Sequence, residues 1–431
     1  MTIAVEKQYF TREGKPFFYL ADTVWNVFAN APIEEWKEYL AYRKWQQFNV
    51  LQFSMLPILH DNSELNDPVM PFYISPNGEW DFYRIHEGYF DKAEEMIRLA
   101  CEAGFIPNLT LLWCSFVPGT WLRNPDPSII MPLEAVAPYV QYVAKRFAKY
   151  DPIYMISGDT DFSEEANVYY SHAALALKEV SPNSTTTLHT RTSEQWPDRF
   201  IQMKELDFYV YQSGHLLQDI QLPFKLAERY AKEPVERPIL NSEPCYEGAG
   251  HGMQYGRFDA FSLRRAFWQS VLSGASAGFT YGAHGIWSWH ARGAAFNNEV
   301  WSKTPLDWRR ALELQGAWDV SFAKTIVEQK GLYAAIPAQE LLLTLYEDIR
   351  VAATPDRNCI AVYVPFTTSV KLQGDLSQYH CYWIEFQNRN IMPASSQTSF
   401  NEQEGVHTVF EMYPFNTDAL LILEKACLEL I

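Results

Sequence analysis

The sequence has no regular cysteine pattern. Its 431 residues include six cysteines, and no two of them have the Cys-x-x-Cys spacing of a metal or redox site. They also lack the density of a small disulfide-linked secreted domain. We therefore expect reduced thiols in a cytoplasmic protein, at Cys101, Cys114, Cys245, Cys359, Cys381 and Cys427.

Long apolar runs and an excess of positive charge are also absent. No apolar stretch approaches the roughly 18 residues of a membrane-spanning helix, and the segment Met1–Lys7 is charged before a secretory signal could develop. The formal charge is −17, and so acidic a surface repels nucleic acid and anionic membranes. We expect a cytoplasmic protein with neither as a partner; neutral sugars remain compatible ligands, and the oligomeric state is left open.

Aromatic residues, by contrast, are abundant. They make up 15% of the chain, with 14 Trp and 25 Tyr. By count alone, a large core with aromatic corners is the better explanation. Indole and phenol rings also stack on the C–H faces of sugars while their polar atoms bond hydroxyl groups, so the positions of the rings have to decide.

Eight apolar runs of strand length alternate with amphipathic helical segments, which is the pattern of repeated βα units. Eight such units predict an α/β fold, a (β/α)8 TIM barrel. The predicted strands are residues 16–21, 49–56, 105–113, 152–158, 185–190, 206–213, 237–243 and 277–286, and the clearest helices are 32–47, 90–103, 132–149 and 258–273.

The pattern changes after about residue 330. Short β runs alternate with polar breaks over residues 338–431, and no convincing helix follows. The sequence therefore predicts two domains: a catalytic (β/α)8 barrel over residues 1–330 and an antiparallel β-sandwich over residues 331–431.

Two of the predicted strands end in a carboxylate. The fourth strand leads to Asp159 and the seventh to Glu243. The C-terminal ends of barrel strands form the active-site face, and glycosidic cleavage needs one protonated and one ionised carboxyl group. We predict Asp159 and Glu243 as the catalytic pair. Asp161 and Glu247 are the alternatives, the first also as a loop or helix-cap residue and the second as a group that binds substrate hydroxyls or orients Glu243.

Other polar and aromatic residues lie at or just beyond strand ends, facing the same mouth. Each has a structural alternative, since a single histidine is usually a satisfied structural residue and tryptophans can simply close a barrel top. The long segments 57–88 and 114–131 are expected to shape the same pocket. The strand-end candidates for substrate binding are Asp22, Trp25, Trp113, His189, Tyr211, His284, Trp287 and Trp289.

Four segments resemble those of the apiosidase-like glycoside hydrolases: Gly14–Trp25, Ser157–Asp159, Asn241–Gly248 and Tyr281–Trp287. The resemblance covers roughly residues 8–330. The acid segment reads Ser-Gly-Asp here, where the family pattern reads Gly-Gly-Asp. The tail resembles the small β domain often attached to that group and labelled collagen-binding, which we interpret as a packing or substrate-rim domain.

The resemblance implies a retaining hydrolase with Asp159 as acid/base and Glu243 as nucleophile. It also implies that Asp22, Trp25, Tyr246 and Trp287 line the sugar subsite. The first hypothesis is therefore an exo-acting glycosidase for a short, pentose-containing glycoside, with a small carbohydrate as substrate.

Two other functions compete with this hypothesis. One is a catalytically inert sugar-binding or scaffold barrel, which would not need both carboxylates. The other is a metal-dependent barrel hydrolase, whose sites need clustered histidines, often as His-x-His at the first strand. That strand ends in Leu20-Ala-Asp22 without a histidine, so we expect no metal and no cofactor.

Overall fold

The computed structural model describes residues 3–64, 69–122 and 127–425. Cys427 and the parts 65–68 and 123–126 of the two long predicted loops lie outside the described residues. The other five cysteines are free thiols, as predicted.

A parallel sheet of eight strands forms the centre of the fold. The strands up to residue 281 are β1 (Ile3–Val5), β2 (Phe10–Arg12), β3 (Lys15–Phe17), β4 (Tyr19–Thr23), β5 (Val50–Ser54), β6 (Phe72–Ile74), β7 (Trp80–Ile85), β8 (Ile106–Trp113), β9 (Ile153–Gly158), β10 (Thr186–Thr187), β11 (Tyr209–Gln212), β12 (Ile239–Glu243) and β13 (Gly278–Tyr281). The sheet order is β10-β9-β8-β5-β4-β13-β12-β11, with all neighbours parallel. Eight successive strands around one ring confirm the predicted TIM barrel.

The ring closes between β10 and β11 without a regular strand ladder. Asp207 N donates to Thr186 O at 2.8 Å across this gap. The fifth strand is shorter than the predicted 185–190, because beyond Thr187 the chain runs irregularly beside β9. There His189 N donates to Ser157 O at 3.3 Å, which brings the imidazole of His189 to the barrel mouth.

Helices cover the outside of the barrel. They are α1 (Val27–Asn30), α2 (Ile33–Trp45), α3 (Glu87–Glu102), α4 (Leu133–Phe147), α5 (Glu164–Val180), α6 (Asp198–Ile201), α7 (Leu222–Tyr230), α8 (Ala260–Val271), α9 (Glu299–Ser302), α10 (Trp308–Leu312) and α11 (Gln315–Gln329). The four predicted helices are confirmed as α2, α3, α4 and α8. Helix α3 ends just before Gly104, which has the positive φ of 93° that a terminating glycine adopts. Within the described part of the chain, every helix is too short or too polar to cross a bilayer.

Two antiparallel sheets follow α11. Their strands are β14 (Ile336–Pro337), β15 (Arg350–Ala353), β16 (Cys359–Val364), β17 (Val370–Gln373), β18 (Tyr379–Glu385), β19 (Ile391–Pro393), β20 (Ser396–Asn401), β21 (Gly405–Phe410) and β22 (Ala419–Lys425). One sheet has the order β14-β15-β16-β22-β18-β19 and the other β17-β21-β20. Val362, Leu372 and Leu421 belong to the core that they share, so the predicted antiparallel β domain is confirmed.

The β domain packs tightly on the barrel. Trp268 of α8 stacks on Phe386 with ring centroids 5.6 Å apart. Arg264, also on α8, donates to Asp319 at 2.6 Å and to Asp418 at 2.7 Å, and the guanidinium and both carboxylates are buried. The proposed boundary at residue 330 falls between α11 and β14, and it stays a prediction because the two parts share a continuous hydrophobic interior.

Candidate active site

A cavity opens at the carboxyl ends of the barrel strands. Its volume is about 600 Å³, inside the range of about 300–1,000 Å³ usual for small-molecule sites. Six of the residues predicted from the sequence line it: Trp25, Trp113, Asp159, Glu243, Tyr246 and Trp287. The strand ends thus bring the two predicted catalytic carboxyl groups and four aromatic rings to one place.

Glu243 is the last residue of β12, and its carboxyl group is almost completely buried. Its Oε1 accepts a hydrogen bond from Gln212 Nε2 at 2.9 Å and lies 2.9 Å from His215 Nε2. Its Oε2 is buried and lies 3.1 Å from His189 Nε2. Burial raises the pKa of Glu243, but the contacts with His189 and His215 outweigh it and hold the pKa well below that of an ordinary glutamate. The surroundings therefore favour the ionised form of Glu243, with Oε1 held by Gln212 and His215 and Oε2 beside His189.

Asp159 follows β9, across the mouth from Glu243. Its backbone has a left-handed φ of 48°, uncommon outside glycine. Two contacts hold this conformation: Asp159 N donates to His189 Nδ1 at 3.0 Å, and Trp121 Nε1 donates to Asp159 O at 2.5 Å. Burial raises the pKa of Asp159 well above its ordinary value, and the negative charges of Glu243 and Asp61 raise it further. The surroundings therefore favour the protonated form of Asp159.

His189 lies between the backbone of Asp159 and the carboxyl group of Glu243. Its Nδ1 accepts the backbone N–H of Asp159, so the proton of the neutral ring is on Nε2, the atom that faces Glu243. Ser157 Oγ donates to His189 O at 2.8 Å, which gives a structural reason for the serine in the Ser-Gly-Asp segment. His189 is fully buried and does not line the cavity, so its position does not support the predicted contact with the sugar.

Aromatic rings form one wall of the cavity. Trp25 Nε1 donates to Tyr246 Oη at 2.8 Å, and the rings of Trp25 and Trp113 lie 5.3 Å apart. Trp287 lies 4.8 Å from the Tyr246 ring. A Cβ atom at Gly158 would overlap the Trp113 indole, so only glycine allows the ring to lie against β9. These rings offer the flat apolar faces on which sugars stack.

Asp22 and Glu247 lie outside the cavity. Asp22 is fully buried, and its Oδ2 accepts hydrogen bonds from Tyr39 Oη and Arg43 Nε of α2, each at 2.6 Å. Glu247 Oε2 accepts the N–H of Gly316 at 2.9 Å, at the start of α11. Both carboxylates point outward to helices, so their positions do not support the predicted contact with the sugar.

Tyr211, His284 and Trp289 are also absent from the cavity wall. Tyr211 Oη donates to a backbone carbonyl of α7 at 2.8 Å, and Trp289 Nε1 donates to Glu35 at 2.8 Å. The His284 ring stacks behind Trp287 with centroids 4.5 Å apart. Tyr211 and Trp289 pack against helices, whereas His284 supports a residue of the wall.

The structure adds cavity residues that the sequence had not identified: His60, Asp61, Trp121, Gln212 and His215. Gln212 directly follows Tyr211, and successive strand residues face opposite sides. The residue of this strand that faces the cavity is therefore the one immediately after the predicted Tyr211. The other four lie in the segments after β5, β8 and β11, whose path has no simple sequence pattern. Burial lowers the pKa of His60 to about 4, so its ring is neutral at neutral pH.

The alternative residue Asp161 has a loop role: its Oδ1 accepts the backbone N–H of Trp121 at 2.7 Å. Among the residues with described positions, no three His, Cys, Asp or Glu side chains are grouped so as to hold a metal ion.

Comparisons with known proteins agree with this architecture. The family model described as "Apiosidase-like, catalytic domain" matches residues 5–334, which confirms the resemblance inferred from the motifs. A solved structure described as "Glycoside hydrolase" has a TM-score of 0.79 at 19% identity, covering 99% of this chain and 97% of that chain. A glycoside hydrolase family 5 structure from Bacteroides vulgatus ATCC 8482 has a TM-score of 0.81 at 18% identity, covering 100% and 95%. No curated protein matches the sequence. At these identities the two structures show a shared fold, and the family assignment comes from the family model.

Proposed function

This chain belongs to the apiosidase-like glycoside hydrolases, and we propose that it is a retaining, exo-acting glycosidase with Asp159 as acid/base and Glu243 as nucleophile. One observation supports this proposal most strongly: the two carboxyl groups meet at one cavity, and their surroundings shift their pKa values in opposite directions. Glycosidases need this division, because one carboxyl group must donate a proton while the other stays ionised.

The surroundings of Glu243 suit a nucleophile. Gln212 and His215 hold Oε1, while Oε2, which lies 3.1 Å from His189 Nε2, is the oxygen we assign to the attack on the substrate. In the first step, Oε2 bonds to the anomeric carbon as the glycosidic C–O bond breaks, and the leaving oxygen takes the proton of Asp159.

The second step reverses the role of Asp159. Now ionised, it accepts a proton from a water molecule whose oxygen attacks the anomeric carbon. The bond from that carbon to Glu243 Oε2 breaks, and the sugar leaves with its original configuration. His189 supports both steps, because it holds the backbone of Asp159 and faces the attacking oxygen of Glu243.

A short substrate fits the cavity. Its volume of about 600 Å³ suits one terminal sugar with a small aglycone, which is why we propose exo action. The pentose preference follows from the family description alone, since apiose is a branched pentose.

The test is turnover of 4-nitrophenyl glycosides of common pentoses and hexoses, including apiose. We expect Glu243→Gln to abolish turnover without loss of folding. Asp159→Asn should lose about 10²–10⁴-fold on substrates whose leaving group needs a proton, and less on 4-nitrophenyl glycosides, whose leaving group needs none. Proton NMR of the first-formed product should show the anomer of the substrate.

Asp161→Asn is the matched control, because it makes the same chemical change two residues away and retains an acceptor for Trp121 N. It should remain close to wild type. Near wild-type turnover by Glu243→Gln would refute the nucleophile assignment, an inverted product would refute retention, and a folded wild type without turnover would favour the inert sugar-binding alternative.

A further inference from the structure

Asp61 is a third carboxyl group in the catalytic cavity. It lines the cavity together with Asp159 and Glu243. Its side chain bonds Asn298, yet its buried Oδ1 has no hydrogen-bond partner in the described parts of the chain. Buried polar atoms are nearly always paired, so this oxygen still needs a donor, and the cavity that Asp61 lines is where a bound molecule can supply one.

A network of asparagine side chains holds the segment that carries Asp61. Asn26 Oδ1 accepts Ile58 N at 2.7 Å, and Asn26 Nδ2 donates to Ile58 O at 3.1 Å. Asn62 Oδ1 accepts from Asn26 and from Asn30, each at 3.0 Å. The residues on both sides of Asp61 are thus tied to Asn26, which precedes α1, and to Asn30, its last residue. Such support is typical of residues that must meet a ligand at a defined position.

Burial, rather than the surrounding charges, opposes the ionisation of Asp61. Burial raises the pKa of Asp61 to about 7, Glu243 adds to the rise and His215 opposes it. Asp61 also adds to the negative charge that acts on Asp159. Two neighbouring carboxyl groups do not stabilise the ionised form of Asp61, and clusters of carboxyl groups with raised pKa values are characteristic of functional sites.

We propose that Asp61 accepts hydrogen bonds from hydroxyl groups of the sugar that is cleaved, and thereby selects that sugar. This inference rests on the proposed function, because it places the cleaved sugar beside Asp159 and Glu243. Because Asp61 lines the same cavity as Asp159 and Glu243, we assign to it the hydroxyl groups next to the anomeric carbon. The ligand class is a sugar with free hydroxyl groups at C2 and C3.

The test compares wild type, Asp61→Ala and Asp61→Asn on the 4-nitrophenyl glycoside that is cleaved best and on its 2-deoxy and 3-deoxy analogues. With the parent substrate, Asp61→Ala should lower kcat/KM by about 10–100-fold, the usual value of a hydrogen bond to a charged group. The wild type should lose a similar factor on one of the deoxy analogues. On that analogue Asp61→Ala should match the wild type, because the hydroxyl that Asp61 binds is missing. On the parent substrate, kcat/KM of Asp61→Asn should lie between those of the wild type and Asp61→Ala.

Glu299→Gln is the matched control. Glu299 is exposed and follows Asn298, so this variant removes one charge beside the partner of Asp61 without touching the cavity; it should match the wild type on all substrates. An equal loss by Asp61→Ala on the parent and on both deoxy analogues would show a structural role and overturn the inference.

Calorimetric binding of free apiose, xylose and arabinose separates this inference from the proposed function. If no glycoside is cleaved but one pentose binds and Asp61→Ala weakens that binding, the proposed function fails and the selection by Asp61 stands. If the wild type binds none of these sugars and cleaves no glycoside, both are refuted.

Discussion

Replacing Asp22 by Asn should destabilise the fold while leaving the active site intact. Asp22 lies at the end of the first barrel strand and was predicted to contact the sugar. In the structure it pairs with Arg43 at 2.6 Å, and both side chains are fully buried. Tyr39 Oη donates to the same carboxylate oxygen at 2.6 Å. The pair thus joins β4 to α2.

The expected loss follows from what remains after the substitution. Burial raises the pKa of Asp22 although Arg43 and Tyr39 oppose the rise. In the intact pair, the free energy needed to desolvate the two charges therefore offsets much of the attraction between them. In the variant, Arg43 stays charged and buried without a counter-charge, and breaking a buried pair costs about 3–5 kcal/mol. Asn retains an acceptor for Tyr39, so we expect a loss of about 3 kcal/mol, the lower end of that range.

Urea unfolding followed by tryptophan fluorescence measures this loss. Combining Asp22→Asn with Arg43→Met removes the unpaired charge and should be less destabilising than the single variant. Glu299→Gln, a charge removal on the exposed surface, should stay within about 0.5 kcal/mol of the wild type. Folded Asp22→Asn should retain wild-type kcat/KM. An unchanged urea midpoint with a strongly reduced kcat/KM would instead show that Asp22 contacts the substrate, and the structural reasoning would be wrong.

Three further predictions concern the catalytic cavity. The value of kcat/KM should rise with pH as Glu243 ionises and fall as Asp159 loses its proton. Because the pKa of Glu243 is lowered and that of Asp159 is raised, the plateau between the two limbs should be wider than for two ordinary carboxyl groups. A narrow optimum would contradict this. His215→Ala removes a contact that lowers the pKa of Glu243, so the acidic limb of that profile should move to higher pH, whereas an unmoved limb would show that His215 does not tune Glu243. Gly158→Ala adds a Cβ that overlaps Trp113, and displacement near the reacting atoms should lower kcat/KM by about 100-fold; wild-type activity would show that the indole is free to move.

The barrel and the two catalytic candidates were predictable because their signals are local. A strand that is buried on both faces is a short apolar run, and eight such runs can be counted along the chain. A carboxylate at the end of such a run is seldom buried without a partner, and this indicated the mouth for Asp159 and Glu243; Asp22 ends a strand in the same way but is buried against α2 by its pairing with Arg43.

The remaining cavity residues depend on contacts between distant segments. Asp61 reaches the cavity because Asn26, Asn30 and Asn297 hold its neighbours, and His215 reaches Glu243 from the segment after β11. Neither arrangement has a periodic pattern, since loop paths are set by such long-range hydrogen bonds.

Composition and the order of apolar runs therefore determined the fold class, the β domain at the end of the chain and the strand ends that carry the two carboxyl groups proposed as catalytic. Only the tertiary structure decided which of two adjacent strand residues faces the cavity. Asp22 and Tyr211 point outward to helices, whereas Gln212, next to Tyr211, bonds Glu243. The physical reason is that both faces of a barrel strand are buried, so inward and outward positions are both apolar, and the alternation that would reveal the direction of each side chain is missing.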